Sequence, residues 1–364
     1  MTALAQEIAL AQEIARTFGT PAVAIDLDRV ERNIARLQAA CDAAGLANRP
    51  HIKTHKSPVL AKMQKDAGAR GITCQKIGEA EVMADAGFDD ILISYNLLGE
   101  HNLGRLGALM GKARMTVAAD NPVTVEGLPR AAERSGRTLD VVVEVDTGRK
   151  RAGVETPGEA IALAKDIAAR PGLSFAGFLL YAPEDAIRET QAFLDEATAG
   201  VREAGLEPRM VSTGGTPNVA NLGRIAGATE HRAGTYIFND RMMLACGAAT
   251  LDDIALHVIA TVVSRAGPER GILDAGSKTL TSDVGGLEGH GLILEHPQAK
   301  IARFAEEHGF LDLSACNDRP KVGDVVRIVP NHVCVVVNMV DRLIATRNGE
   351  IVGEIPVEAR GRIV

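Results

Sequence analysis

The sequence predicts an α/β fold: a (β/α)8 barrel of the TIM type followed by a mostly antiparallel β domain. Three observations lead there. From about residue 49 to 235, short apolar or β-branched runs alternate with alanine-rich segments of helical spacing, as repeated βα units around a parallel sheet require. The runs number eight, the count at which such a sheet closes. After Arg241 the texture changes to strands separated by glycine and charged turns, with scarcely any helix.

Taken in order, residues 1–21 open with MTALAQEIALAQEIARTFG, whose apolar positions recur at helical spacing. The stretch lacks the basic start and apolar run of a signal peptide, so a cytoplasmic protein is expected. AVAIDL, within 22–27, is one strand too many for the barrel and is expected to join the β domain. Residues 28–245 form the barrel, with strands at PHIKTH, GITCQ, DILIS, MTVAAD, DVVVEVD, FAGFLLY, MVSTGG and ATEHRAG. The segments between them, such as TPGEAIALAKDIAARPG, carry apolar residues three and four apart and end at glycine. A doubly wound open sheet is the alternative, but the first βα junction lacks its Gly-x-Gly-x-x-Gly turn. Residues 246–364 form the β domain, with DVVRIVPNHVCVVVN read as strand.

Composition narrows the function. A chain of 364 residues, 46% hydrophobic, has enough apolar material for two domains and excludes disorder. The formal charge of −7, from 40 basic and 47 acidic residues, is interspersed and leaves no footprint for nucleic acid or membrane, so the expected partner is a small molecule. No apolar run is long enough to span a bilayer. Cys41, Cys74, Cys246, Cys316 and Cys334 are scattered and odd in number, which argues for a reducing compartment.

In a barrel of this type the residues just after each strand build the site. RPHIKTHKS, residues 49–57, puts Lys53 inside the first strand and Lys56 at the start of the next helix. A desolvated lysine becomes a nucleophile toward carbonyls. Two readings of Lys53 stand side by side, a catalytic amine and an ion pair with Glu144 or Asp146; Lys56 is read as a solvated helix-start residue. VSTGGTPN, residues 211–218, runs from a strand into paired glycines, a turn that lets backbone N–H groups approach a phosphate. Together with an interior lysine it describes an aldehyde cofactor bearing one phosphate, pyridoxal 5'-phosphate. VPNHVCVVVN places His332 and Cys334 two apart, on one face of a strand, as an open metal pair or as a buried thiol beside a hydrogen-bonded histidine. His101, His257, His290, His296 and His308 have no partner at ligand spacing, and Asp274 and Lys278 either position the substrate carboxylate or, as the favoured reading, pair with each other.

RPHIKTHKS, GITCQKIGEAE, VEVDTGRKRAGV, STGGTPN, HRAGTYIFND, LDAGSKTLTSD and PNHVC together resemble the D-threonine aldolase and D-serine dehydratase family, whose barrel is of the alanine racemase type. The resemblance runs from about residue 20 to near the C-terminus. It implies that Lys53 carries the pyridoxal phosphate and that Thr213, Gly214, Gly215 and Thr216 hold its phosphate. It further implies that Gln75, Arg151 and Tyr236 line the cofactor and that His332 and Cys334 bind a divalent metal (manganese, zinc or magnesium) in a homodimer.

Two features separate the family's reactions. Histidine-x-cysteine at the metal resembles the dehydratases. GITCQKIGEAE and FAGFLLY resemble the aldolases, but Ala182 stands where those carry a histidine base, so Tyr181, Glu184, His55 or a metal-held hydroxide must replace it. The expected function is retro-aldol cleavage of D-β-hydroxy amino acids, with D-serine or D-threo-3-hydroxyaspartate dehydration as the alternative. The catalytic candidates are Lys53, His55 and Tyr181. Racemisation ranks low because Tyr95, Tyr181 and Tyr236 all precede the β domain, and a non-catalytic pyridoxal phosphate carrier has no use for a metal pair there.

Overall fold

The computed structural model describes residues 3–364, which divide into two compact units. One comprises Ala35–Lys53, Leu60–Gly234 and Arg362–Val364; the other comprises the residues up to Ile34, Thr54–Val59 and Thr235–Gly361. Strands are numbered along the whole chain, beginning with β1 (Ala22–Asp26) in the second unit.

The first unit is a (β/α)8 barrel. Its strands are β2 (Ala47–Asn48), β3 (Ile72–Cys74), β4 (Asp90–Ile93), β5 (Arg114–Ala119), β6 (Leu139–Val145), β7 (Leu173–Leu180), β8 (Met210–Gly214) and β9 (Glu230–Arg232). They are parallel in the order β2-β9-β8-β7-β6-β5-β4-β3, and a parallel bridge between His51 and Thr73 joins the ends. Strand alternation sorts the side chains into layers. Outward-facing Ile91, Ile93, Val117, Val141 and Val143 pack under the helices, while Leu92, Ala118, Val142, Ala176 and Leu179 fill the interior. Residues of the same parity as Leu92, Ala118 and Val142 are therefore inward at both ends: Asp90, Thr116 and Asp140 where the strands begin, Ser94, Asp120 and Glu144 where they finish. The helix Pro157–Ala169 shows how sequence sets an element's start: the Thr156 hydroxyl accepts the Glu159 N–H at 3.2 Å, Glu159 reaches back to the Thr156 N–H at 3.0 Å, and Pro157 occupies the first turn.

PHIKTH does not continue as a strand. Proline at residue 50 has no N–H for a ladder, and after the His51 bridge the chain tightens into a 3-10 turn, Ile52–Thr54, which carries Lys53. Lys56 is not a solvated helix-start residue: it is 5% exposed, adopts φ 51°, and donates from Nζ to Asn338 Oδ1 at 2.8 Å, ahead of a helix that begins at Pro58.

The second unit contains the remaining strands: β10 (Leu256–Ser264), β11 (Arg270–Leu273), β12 (Leu292–Ile293), β13 (Lys300–Phe304), β14 (Gly309–Asp312), β15 (Val325–Val329), β16 (Arg342–Arg347) and β17 (Glu350–Pro356). The long β10 closes a ring through β11, β14, β13, β12 and β15, all antiparallel. Strand β1 pairs antiparallel with β10 and parallel with β16, and the helix Ala3–Phe18 buries Ala11 and Ile14 against Ala22, Ala24, Ile259 and Ile344. Two expectations fail here. VCVVVN is a helix, Val333–Asn338, despite its β-branched run. Asp274 accepts from Thr20 and from the Thr261 N–H, while Lys278 pairs with Glu306 and Glu307, so the two do not pair with each other. Among the described residues no helix is long and apolar enough to cross a membrane.

Candidate active site

The finishing end of the barrel gathers most of the expected residues. Lys53 lies half-buried in its 3-10 turn; its backbone N–H points at His51 Nδ1, and among the described residues its Nζ makes no hydrogen bond or ion pair. Neither Glu144 nor Asp146 pairs with it. Asp146 is spent on its own loop: burial raises its pKa, but backbone N–H groups of Gly148, Arg151, Arg149 and Lys150 together bring it below the usual value. Glu144 goes the other way, raised by burial against the lowering charge of Arg232 and Arg151.

His51, which the sequence reading passed over, connects Lys53 to Gln75. With Nδ1 accepting, its proton sits on Nε2 and is donated to Gln75 Oε1 at 3.2 Å. Gln75 in turn donates to the Ser94 carbonyl at 3.0 Å. Burial, then the positive charges of Lys53, Arg232 and Arg151, hold the imidazole well below its ordinary pKa, so it is neutral. Arg232 is also buried, its guanidinium bonded to Ser212 and to the Leu180 carbonyl, and burial lowers it to about 10.

The glycine turn follows β8. Gly215 has φ 101°, and a Cβ there would collide with the ring of Tyr181, so glycine is required twice over. Tyr181 is flanked by the Arg149 and Arg151 guanidinium groups, 4.1 and 5.6 Å from its ring centre. Arg149 is ion-paired with Glu184. Ala182 is a buried methyl whose carbonyl accepts from Asn218 and Arg149. Lys53, Gln75, Arg151, Tyr181 and the Thr213–Gly214–Gly215–Thr216 turn thus belong to one barrel end. An amine without a partner among the described residues, at the same barrel end as a glycine turn and the buried Arg232, suits an aldehyde bearing a phosphate.

In the second unit, His332 precedes the helix Val333–Asn338, with Nδ1 3.2 Å from Asp240 Oδ2. Asp240 is fully buried and caps two helices, accepting the Val333 N–H at Oδ2 and the Met243 N–H at Oδ1. Burial lowers the His332 pKa, but the bonds to Asp240 and Cys334 outweigh it and bring it to about 10. Cys334 Sγ lies 3.2 Å from the hydroxyl of Thr54, the residue covalently after Lys53. Among the described residues no three histidine, cysteine or carboxylate side chains cluster at ligand spacing. The pair fits an open metal position with two protein ligands, His332 Nε2 and Cys334 Sγ, in which Asp240 orients the imidazole through its other nitrogen. His55 is fully buried, its Nδ1 accepting the Ser57 N–H at 3.2 Å, and Tyr236 is 5% exposed in a 3-10 turn, Thr235–Ile237.

Of His51, Glu144, Arg232 and Asp240, only Glu144 was anticipated, as an ion-pair partner for Lys53. For the first three the inward parity of each strand is the available signal; Asp240 acts 92 residues away from His332, and no local pattern marks it.

Comparison with known proteins covers most of the chain. The model of the alanine racemase N-terminal domain matches residues 25–242, and that of the serine dehydratase domain matches 255–346. The chain is 34% identical to a D-threonine aldolase of an Arthrobacter species, over 94% of this chain and 93% of the relative. It is 34% identical to a D-threo-3-hydroxyaspartate dehydratase of a Delftia species, over 89% and 93%. The crystal structure of a D-threonine aldolase from Filomicrobium marinum superposes with a TM-score of 0.87 at 33% identity, covering 95% of this chain and 96% of that one.

Proposed function

The chain belongs to the D-threonine aldolase and D-serine dehydratase family, with an alanine racemase-type N-terminal domain, and on that premise we propose that it is a D-threonine aldolase dependent on pyridoxal phosphate and a divalent metal. It would cleave D-β-hydroxy amino acids to glycine and an aldehyde. The observation that carries this reading is Lys53: an amine without a partner among the described residues, next to a neutral histidine, at the end of a barrel where sites are built.

In this reading Lys53 would hold the cofactor through its amine, and the same amine would move a proton at the substrate Cα. Bound pyridoxal phosphate supplies an electron sink for the bond broken at that carbon. The Thr213–Gly214–Gly215–Thr216 turn holds the phosphate, with Gln75, Arg151 and Tyr236 lining the cofactor. The neutral His51 directs its Nε2 at Gln75 Oε1 and Ser94 Oγ, so it helps place those side chains without adding a competing cation. His332 and Cys334 hold the metal, and a bound divalent ion supplies a Lewis acid for the β-hydroxyl. With Glu184 ion-paired to Arg149 and a methyl at Ala182, Tyr181 is the group assigned to take the hydroxyl proton, and the two flanking arginines hold its ring in place.

Dehydration is the second reading, favoured by one observation: the thiol of Cys334 beside His332, together with the 34% identity to a dehydratase. We further infer a cytoplasmic homodimer. Incubation with D-threonine, pyridoxal phosphate and manganese or zinc separates the readings. Glycine and acetaldehyde are expected; 2-oxobutyrate and ammonia would establish the dehydratase, and no turnover of any D-β-hydroxy amino acid would reject both.

A further inference from the structure

Beside the glycine turn lies a buried histidine that the proposed chemistry does not use. His231, in the middle of β9, is 1% exposed. Its Nε2 lies 3.1 Å from the Gly215 carbonyl and its Nδ1 lies 3.0 Å from Thr213 Oγ1. A carbonyl only accepts, so the ring's proton is on Nε2 and Nδ1 can only accept; the single Thr213 hydroxyl proton is shared between Nδ1 and the Glu230 carbonyl, 3.1 Å away. Burial, with the charge of Arg232, lowers the imidazole to about 4 and keeps the ring neutral through the physiological range.

The turn borders a small cavity lined by Leu46, Ala182, Thr213, Asn218, Ile225 and His231. Polar struts hold it: Asn218 Nδ2 takes the Gly214 carbonyl at 3.2 Å, the Gly215 N–H donates to the Arg232 carbonyl at 2.7 Å, and the Gly215 carbonyl accepts both the Asn218 N–H at 3.1 Å and His231. A peptide unit is planar, with its C=O and N–H opposed, so fixing the Gly215 carbonyl toward the rear fixes the direction of the Thr216 N–H toward the other side. At φ 101° with no side chain, Gly215 has little conformational preference of its own, and its orientation must come from its hydrogen bonds.

Resting on the phosphate-turn reading above, we propose that His231 is a positioning residue that locks the Gly215–Thr216 peptide and so gives the site its preference for a phosphorylated cofactor. Asparagine and glutamine separate the two bonds: an asparagine amide reaches only as far as Nδ1, toward Thr213, whereas a glutamine amide extends to the Nε2 position and can still donate to Gly215. The full-length chain, freed of cofactor, is titrated by absorbance with pyridoxal phosphate and with pyridoxal. His231→Asn is expected to weaken pyridoxal phosphate binding about tenfold while leaving pyridoxal unchanged, and His231→Gln to stay within about threefold of the parent for both. If asparagine and glutamine behave alike, or if both cofactor forms weaken together, the positioning role is overturned. If the parent itself does not prefer the phosphorylated form, the assignment of the turn to phosphate fails first, and the role of His231 falls with it.

Discussion

The two ends of the barrel treat charge in opposite ways. Where the strands begin, Arg49 is buried with a side-chain exposure of 2% and bonded to Glu230 at 2.7 Å and Asp90 at 2.8 Å, Arg114 adds to Asp90, and Arg209 meets Asp140 at 2.7 Å. Each of those carboxylates has its guanidinium. Where the strands finish, Lys53 has no partner among the described residues, Glu144 is pushed toward its neutral form, and His51 is kept neutral among cations. The same alternation of inward residues builds both ends, so the sheet geometry does not cause the difference. Compensated charge fixes the strands in place; uncompensated charge is costly to bury and is expected where chemistry needs it.

The largest effect should come from breaking the uncompensated end. Lys53→Ala should lower turnover by about 10³-fold or more while the denaturant midpoint stays near that of the parent, since among the described residues Nζ makes no hydrogen bond or ion pair to lose. A variant that kept a tenth of its activity would remove Lys53 from the chemistry. Arg49→Leu is the mirror experiment: it leaves Asp90 and Glu230 buried without their cation and should cost about 3–5 kcal/mol of stability, read from urea unfolding, with turnover per folded molecule unchanged. Loss of turnover without loss of stability would mean that the starting end is not merely structural.

Smaller effects sharpen the contrast. Asp240→Asn should weaken divalent-metal affinity about 10- to 100-fold through the orientation of His332, and Cys334→Ala should lower metal content and activity together; full activity after chelation would remove both from the site. The smallest is a pH effect on stability. His231 and His257 are lowered to about 4 and about 3, and His51 is lowered as well, each first by burial. The unfolded chain, with histidine near about 6.5, binds more protons than the native one below that pH, so the urea midpoint should fall as pH is lowered from about 6.5 toward 4. His231→Gln should flatten part of that slope; an unchanged slope would mean that His231 does not titrate with unfolding.

The barrel was legible because its strands β3 to β9 are β-branched or apolar runs bounded by glycine and charged turns, each needing a partner on either side. Three local readings were not. The Lys53 segment resembles a strand by composition, yet it leaves the sheet after proline 50 and becomes a 3-10 turn. VCVVVN has the composition of a strand and is a helix, because a carboxylate 93 residues earlier, Asp240, accepts the Val333 N–H that starts it. Lys56 takes a left-handed backbone that no propensity assigns to lysine, and its Nζ bond to Asn338 and the carbonyl bond to the Ala359 N–H fall within the same compact unit. In the last two cases a long-range partner overrode the local preference. The motif residues themselves, Lys53, Gly214, Gly215, His332 and Cys334, could be named from sequence; the side chains that tune them, His51, His231 and Asp240, act through space and could not.

The most direct test of the central claim is to reduce the pyridoxal phosphate-loaded protein with borohydride and map the modified lysine by peptide mass spectrometry. The label should sit on Lys53, the amine without a partner among the described residues, and vanish in Lys53→Ala. A label on Lys56, or one that persists elsewhere in that variant, would contradict the account.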